Sequence, residues 1–374
     1  MAEHEPSISV ETVGANPVRF WGVDTAERVR RIAGRAGLGG SGPPVVLVDA
    51  GYVFDPAWLQ HIASRPGCAL TLGGRPVIAH ARSEIEAAAV RDAMRAGAPL
   101  PAELTPIAFE EGAEVENLQL KKRERPFLME LTDGTRRQAE RASYYGAYKG
   151  VTDILTKYLW PEIALWLTRL AARAGLSPNA VTMIGAALCV AATVAFARGA
   201  YWPGMALAFA FMVLDTVDGK LARCTITSSW WGNVFDHGID LVHPPFWWWF
   251  WATGLVHVGL GLSDTLFWWV QGTILAGYVL QRAIEGAFIW QFGMHIHVWR
   301  RFDSRFRLVT ARRNPNMAIL FFSLLAGRPD LGIVAVAMWT AVCFAVHLIR
   351  LGQALQRRAR GQAIVSWLAE GGDE

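Results

Sequence analysis

Four carboxylates stand within 26 residues of strongly apolar sequence, Asp215 and Asp218 first, then Asp236 and Asp240. On helices, the first pair is three residues apart and the second four, so each pair projects from one face on neighbouring turns. Charged groups near a bilayer are costly unless something pairs with them, which makes such a cluster a candidate functional site. Two helices facing each other would assemble a box of four carboxylates. Hard oxygen ligands of this kind suit Mg²⁺ or Mn²⁺, and two such ions about 3.5–4 Å apart can clamp a diphosphate while activating an attacking oxygen. Around the acids, Gly219 leaves room for a phosphate to approach, Arg223 supplies a fork of donors for phosphate oxygens, and Gly232 lets the two helices pack closely.

The elements that must position these residues follow from the distribution of apolar sequence. The chain has 374 residues, and 52% hydrophobic content with 17 Trp and 18 Phe is heavy for a soluble protein. Long apolar runs begin only after residue 178, and they predict spans at 179–198, 202–223, 233–256, 265–292, 315–328 and 331–350. The fifth is short for a hydrocarbon layer about 30 Å thick. Basic residues cluster at 120–141, 300–313 and 350–360, whereas the loops near 199–203, 257–264 and 329–330 carry few, so the positive-inside rule puts both termini in the cytoplasm. The four aspartates then lie at the cytoplasmic ends of the second and third spans. The N-terminus shows no basic-then-apolar leader, and Cys68, Cys189, Cys224 and Cys343 form neither a metal-ligand spacing nor a disulfide framework. The expected protein is an α-helical integral membrane protein with six transmembrane helices, preceded by a small cytoplasmic α/β domain.

Residues 1–116 carry that α/β domain: an apolar run at 45–50, a helix start at Asp55-Pro56 and a second strand at 68–72. The glycines from Gly37 to Gly42 follow a helix and precede a strand, the reverse of a phosphate-cradling loop, and read as a turn. Residues 117–177 form a basic linker ending in an amphipathic helix, with Ile163, Leu167 and Leu170 on one face, suited to a membrane surface or to packing on the soluble domain. The membrane domain occupies 178–355 and a tail 356–374.

The run from Asp215 through Asp218-Gly219, Ala222-Arg223 and Gly232 to Asp236 and Asp240 resembles the signature of the CDP-alcohol phosphatidyltransferase family, with every signature position matched. The wider similarity spans roughly 175–355 and includes Pro178-Asn179-Ala180-Val181-Thr182, like the start of the family's first transmembrane helix. The resemblance implies transfer of a substituted phosphate from a CDP-linked donor to an alcohol, with release of CMP, at the cell inner membrane. It implies that Asp215, Asp218 and Asp236 hold metal, that Asp240 contacts metal and accepts the proton of the attacking hydroxyl, and that Asn179, Thr182, Gly219, Ala222, Arg223, Ser229 and Gly232 line the CDP site. Homodimers are common among resembling proteins, and no nucleic-acid partner is expected. More weakly, Val46-Leu47-Val48-Asp49 with Val53-Phe54-Asp55-Pro56 resembles a truncated nucleotidyltransferase of the kind fused to some enzymes that make inositol phosphodiesters. Asp49 is then either a vestigial metal ligand or a turn residue.

Other residues leave alternatives open. Arg282 and Glu285 are three apart in the fourth span, an intrahelical pair or a place where Arg282 meets an acceptor. Arg312 and Arg313 sit where topology alone puts basic residues, and the resemblance adds acceptor binding. His295, His297 and Trp299 read as interfacial anchors, and His237 and His243 as polar lining. The favoured donor is CDP-diacylglycerol, in phospholipid synthesis. The rivals are a soluble CDP-polyol donor, a divalent-cation transporter and an inactive scaffold. A transporter would hold its acids near the midplane on broken helices, and an inactive scaffold has no need of the intact aspartate set.

Overall fold

The computed structural model describes residues 8–40, 44–112, 115–117, 122–124, 126–148 and 150–369, excluding the side chains of 115–117, 122–124, Asn233, Asp236 and His237. Contacts divide the chain into two compact units. The first comprises Met1–Tyr148, Thr168–Ser177 and Lys220–Ser228; the second comprises Lys149–Leu167, Pro178–Gly219 and Ser229–Glu374.

The first unit is an α/β layer structure. Its strands are Ser9–Val13 (β1), Val45–Asp49 (β2), Tyr52–Phe54 (β3), Cys68–Leu72 (β4), Arg75–Ala81 (β5), Thr105–Ala108 (β6), Val115–Asn117 (β7), Lys122–Glu124 (β8) and Leu128–Glu130 (β9). Its helices are Thr25–Arg35 (α1), Pro56–Ala63 (α2), Glu84–Ala96 (α3) and Arg136–Gly146 (α4). The main sheet runs β1-β2-β5-β4-β6, with β1–β2 and β4–β6 parallel and the inner pairings antiparallel. Successive residues of β2 point to opposite faces, so Val46 and Val48 join one core while Val45 and Leu47 join the other. That is why this strand reads as an unbroken apolar run. Asp24, Asp55 and Ser83 cap the helices that follow them, and Pro56 opens α2 where its missing N–H costs nothing.

The α/β structure continues past residue 116, because β9 pairs antiparallel with β3. Gly37 turns the chain between α1 and β2 with φ 71°, in the expected helix-to-strand order, while residues 41–43 of that glycine stretch lie outside the described ones. Three arginines on one face of α1 hold the carbonyls that close this unit. Arg28 donates to Cys224 O at 2.6 Å, Arg31 to Thr225 O at 2.9 Å and Arg35 to Ser228 O at 2.6 Å. The Cys224 carbonyl ends α7 and lacks an intrahelical donor, which Arg28 supplies, while Arg31 and Arg35 serve carbonyls of the segment that follows the helix. Burial pulls the Arg28 guanidinium down to about 10.

The second unit is helical: Pro161–Arg173 (α5, shared with the first unit), Pro178–Ala197 (α6), Tyr201–Cys224 (α7, whose last residues belong to the first unit), Trp230–Gly254 (α8), Asp264–Phe292 (α9), Arg301–Phe306 (α10), Arg313–Leu325 (α11) and Pro329–Ala359 (α12). Each predicted span lies on one of α6 to α9, α11 or α12. Among the described residues, α6 and α12 are long and apolar enough to cross a membrane. The interior is aromatic: Trp247, Trp248 and Trp251 are buried, and the indole N–H groups of Trp247 and Trp251 donate to Cys189 O and Pro329 O. The outer surface is apolar as well, with Val190 64%, Trp268 63% and Trp290 85% exposed. Glycine sets helix separation: a Cβ on Gly277 of α9 would come 2.5 Å from Thr340 Cγ2 on α12.

On α5, Ile163 and Leu170 of the predicted apolar face are exposed, as is Trp166 beside them, while Leu167 is half-buried. Ahead of it, residues 155–159 make a single π-helical turn that exposes Tyr158 and Leu159, whereas residues 118–121 and 125 of the predicted basic linker are outside the described ones.

Candidate active site

Asp215 and Asp218 lie on α7 and Asp240 on α8, and a residue from a third helix draws two of them together. Arg313, at the start of α11, donates from Nη2 to Asp215 Oδ2 at 2.5 Å and from Nη1 to Asp240 Oδ1 at 2.6 Å. Asp215 and Asp240 also meet side chain to side chain. The Asp215 side chain is 17% exposed and that of Asp240 44%, so Asp240 is the more open of the two. Asp218 is buried, and Thr182 on α6 donates to its Oδ2 at 2.6 Å while the Gly219 amide donates to Oδ1 at 2.5 Å. Asp236 lies on α8, but its side chain is outside the described ones.

The neighbours named from the sequence fall at the ends of the same helices. Ser229 caps α8 by accepting from the Gly232 amide at 3.0 Å. Gly232 allows a close approach, but toward α6: a Cβ there would come 2.9 Å from Asn179 Oδ1. Thus Gly232, Asn179 and Thr182 draw α6 to the carboxylates. Ala222 and Arg223 sit half-buried on the last turn of α7, within the first unit, where Lys220 places its ammonium 2.9 Å from the Tyr148 ring centroid.

Local chemistry explains the opening beside Asp240. Pro244 and Pro245 interrupt α8 one turn later and remove the amides that would bond the carbonyls of Asp240 and Leu241. Tyr278 on α9 replaces one of them, donating from Oη to Leu241 O at 2.7 Å. His243 is buried, its Nδ1 2.7 Å from Ile239 O, as expected of a polar lining residue. The donor set suits a divalent cation, because carboxylate oxygens from two helices already converge on one positive group.

A second charged cluster lies in the same unit. Arg282 and Glu285 form the intrahelical pair, 3.3 Å apart, and Arg312 also pairs with Glu285. His297 Nε2 is 3.3 Å from Glu285 Oε1, and His347 Nε2 is 3.9 Å from it. Neither His297 nor Trp299 is an interfacial anchor: both are buried, His297 against Glu285 and Trp299 beside Phe288. Burial pushes the His297 imidazole down to about 3, outweighing the Glu285 carboxylate, which favours its protonated form. Periodicity could not reveal this cluster, since Arg312 reaches Glu285 across 27 residues of chain.

In the first unit, Asp49 accepts from the Gly51 amide at 2.7 Å, the role of a turn residue. It also lines a cavity of about 160 Å³ with Tyr52, Arg75 and Glu130, and burial raises its carboxyl above the usual range.

Residues 176–347 match the family described as CDP-alcohol phosphatidyltransferase. This segment is a CDP-alcohol phosphatidyltransferase domain. The domain contains all four aspartates and every residue named for the CDP and acceptor sites. Among curated relatives, the chain is 30% identical over 167 residues to a bifunctional IPC transferase and DIPP synthase of Rubrobacter xylanophilus, covering 43% of this chain and 34% of the relative. It is 34% identical over 117 residues to a phosphatidylinositol phosphate synthase of Mycobacterium marinum, covering 31% and 44%. It is also 34% identical over 100 residues to cholinephosphotransferase 1 of Xenopus laevis, covering 24% and 23%. The matches therefore span less than half of each relative's length.

Proposed function

We propose that the protein transfers a substituted phosphate from a CDP-linked donor, CDP-diacylglycerol by preference, to an alcohol acceptor and releases CMP. The observation that carries this reading is the convergence of Asp215 and Asp240, from separate helices of a CDP-alcohol phosphatidyltransferase domain, on one cationic group. In the proposed reaction the acceptor oxygen attacks the phosphorus that bears the donor's alcohol. The bond from that phosphorus to the CMP oxygen breaks, and Asp240 takes the hydroxyl proton. Its greater exposure suits a group that must meet an incoming acceptor. Asp215, Asp218, Asp236 and Asp240 would hold two Mg²⁺ or Mn²⁺ ions, which neutralise diphosphate charge when bound. Asn179, Thr182, Gly219, Ala222, Arg223, Ser229 and Gly232 would line the CDP site, with Arg282, Arg312 and Arg313 toward the acceptor.

The proposed setting is a membrane crossed six times by α6 to α9, α11 and α12, with the active site and both termini on the cytoplasmic side. The apolar outer surface of these helices supports it. The exposed residues of α5, with Tyr158 before it, would lie at the interface. The test is CMP release by the full chain in proteoliposomes, with CDP-diacylglycerol and, in turn, inositol phosphate, glycerol phosphate or serine. Product extracted into organic solvent supports the lipid donor. Water-soluble product formed from a CDP-polyol would move the assignment to the soluble donor, and no acceptor-dependent CMP from either would sink the reading.

A further inference from the structure

Just past the end of α7, Ile226 has φ 56°, in the left-handed region where a β-branched side chain is strained. It occupies the place where a helix most often puts glycine. The Thr227 amide donates back to Ala222 O at 2.8 Å and the Ile226 amide to Arg223 O at 3.4 Å, the paired closure that a left-handed residue makes after a helix's last turn. Glycine would make the same turn without strain. Backbone strain persists only where the surroundings over-determine it, and it gathers at functional sites.

The surroundings here are α1 and the core beneath it. Ile226 is buried in the core that also holds Val29 and Ile32 of α1 and Val46 and Val48 of β2. Arg28, Arg31 and Arg35, from one face of the same helix, donate to the carbonyls of Cys224, Thr225 and Ser228. One helix therefore holds this short segment twice, by its apolar side chain and by its backbone oxygens. Stopping a helix needs neither grip. What both grips fix is the last turn of α7, where Ala222 and Arg223, two of the residues proposed above for the CDP site, accept the closing bonds. Residues Lys220–Ser228 belong to the first unit, although the helix that leads into them carries Asp215 and Asp218.

We propose that the α/β unit is a clamp on the end of α7, in which Ile226, Arg28, Arg31 and Arg35 are positioning residues that hold Ala222 and Arg223 ready for the CDP part of the donor. This rests on the phosphotransferase reading above, and it adds what the first unit contributes: a pre-set geometry that lowers the ordering cost of donor binding.

The experiment uses CMP as probe and the full-length protein in detergent, with affinity measured by calorimetry. Arg31→Gln combined with Arg35→Gln releases two carbonyls, leaves buried Arg28 and the core in place, and should weaken CMP binding roughly five- to ten-fold. In turnover, the same variant should raise donor KM by a similar factor and leave kcat and acceptor KM near wild type. Arg31→Lys combined with Arg35→Lys keeps a donor for each carbonyl and should recover much of the affinity. If the glutamine variant does not fold, Ile226→Gly makes the test from the core side: glycine closes the helix without strain but gives up the anchor, and CMP affinity should again fall. Wild-type CMP affinity in the folded variant would overturn the proposal, even with a lower thermal midpoint, because α1 would then only stabilise the fold. A fall in kcat with donor KM unchanged would overturn it too. Failure of the underlying reading looks different: the wild type would neither bind CMP nor release it from any CDP-linked donor.

Discussion

The two charged centres of the helical unit are built from the same side-chain types in opposite proportion. At the first, Asp215 and Asp240 flank Arg313, Asp218 follows one turn along α7, and acid exceeds base. At the second, Arg282 and Arg312 surround Glu285, and base exceeds acid. In each, the minority charge binds two of the majority and keeps like charges from driving the helices apart. The surplus then states which ligand sign is favoured: cations at the first, anions at the second.

The harshest test removes acid from the acidic centre. Asp215→Asn combined with Asp218→Asn should lower CMP release on the order of 10³-fold or more, with Mn²⁺ binding lost in parallel. Undiminished release would break the comparison outright. Asp240→Asn should cost about 10²–10⁴ in turnover while donor binding changes far less, and an equal fall in binding would make Asp240 a ligand only.

A change of opposite sign is expected from Arg313→Gln. The guanidinium occupies the Asp215 and Asp240 oxygens that the proposed metal would need, so its loss should tighten Mn²⁺ binding roughly ten-fold even as turnover drops. Weaker Mn²⁺ binding in that variant would mean that Arg313 organises the carboxylates rather than competing for them.

The smallest expected effect is on stability against pH. His297 is held near 3 in the folded chain against 6.5 ordinarily, so below 6.5 the unfolded chain takes up the proton first. The contribution is whole above that pH and drains away as pH falls toward the folded value. His297→Gln should therefore lose less of its thermal midpoint between about pH 7 and pH 5 than wild type does. An identical loss would mean that His297 is not buried neutral.

What could be read from the sequence depended on chain distance. Asp215 and Asp218 share one helix, as Asp236 and Asp240 share another, so their spacing alone points to a candidate site. The β2 strand is legible because both of its faces are buried and Val45 to Val48 are all apolar. Arg313 was read as topology or acceptor contact, and nothing local tells that it crosses 98 residues to Asp215. Gly232 signals a close approach in the sequence, but its neighbour is Asn179 of α6 and not α7, since glycine reports that something comes close without saying what. The grip of Arg28 on Cys224 O spans 196 residues, and the sequence around it reads only as an ordinary amphipathic helix.

The proline pair in α8 has a mechanical consequence. With two amides missing after Asp240, the stretch Trp230–His243 is tied to Phe246–Gly254 by fewer backbone bonds than elsewhere in the helix. The far stretch is pinned by Trp247 and Trp251, whereas Asp240 rides on the near one. The pair therefore marks the weakest point of the α8 backbone ladder. Amide hydrogen exchange should then register the stretches before and after the prolines as separate cooperative units, and uniform protection along α8 would show that side-chain packing makes up for the two missing bonds.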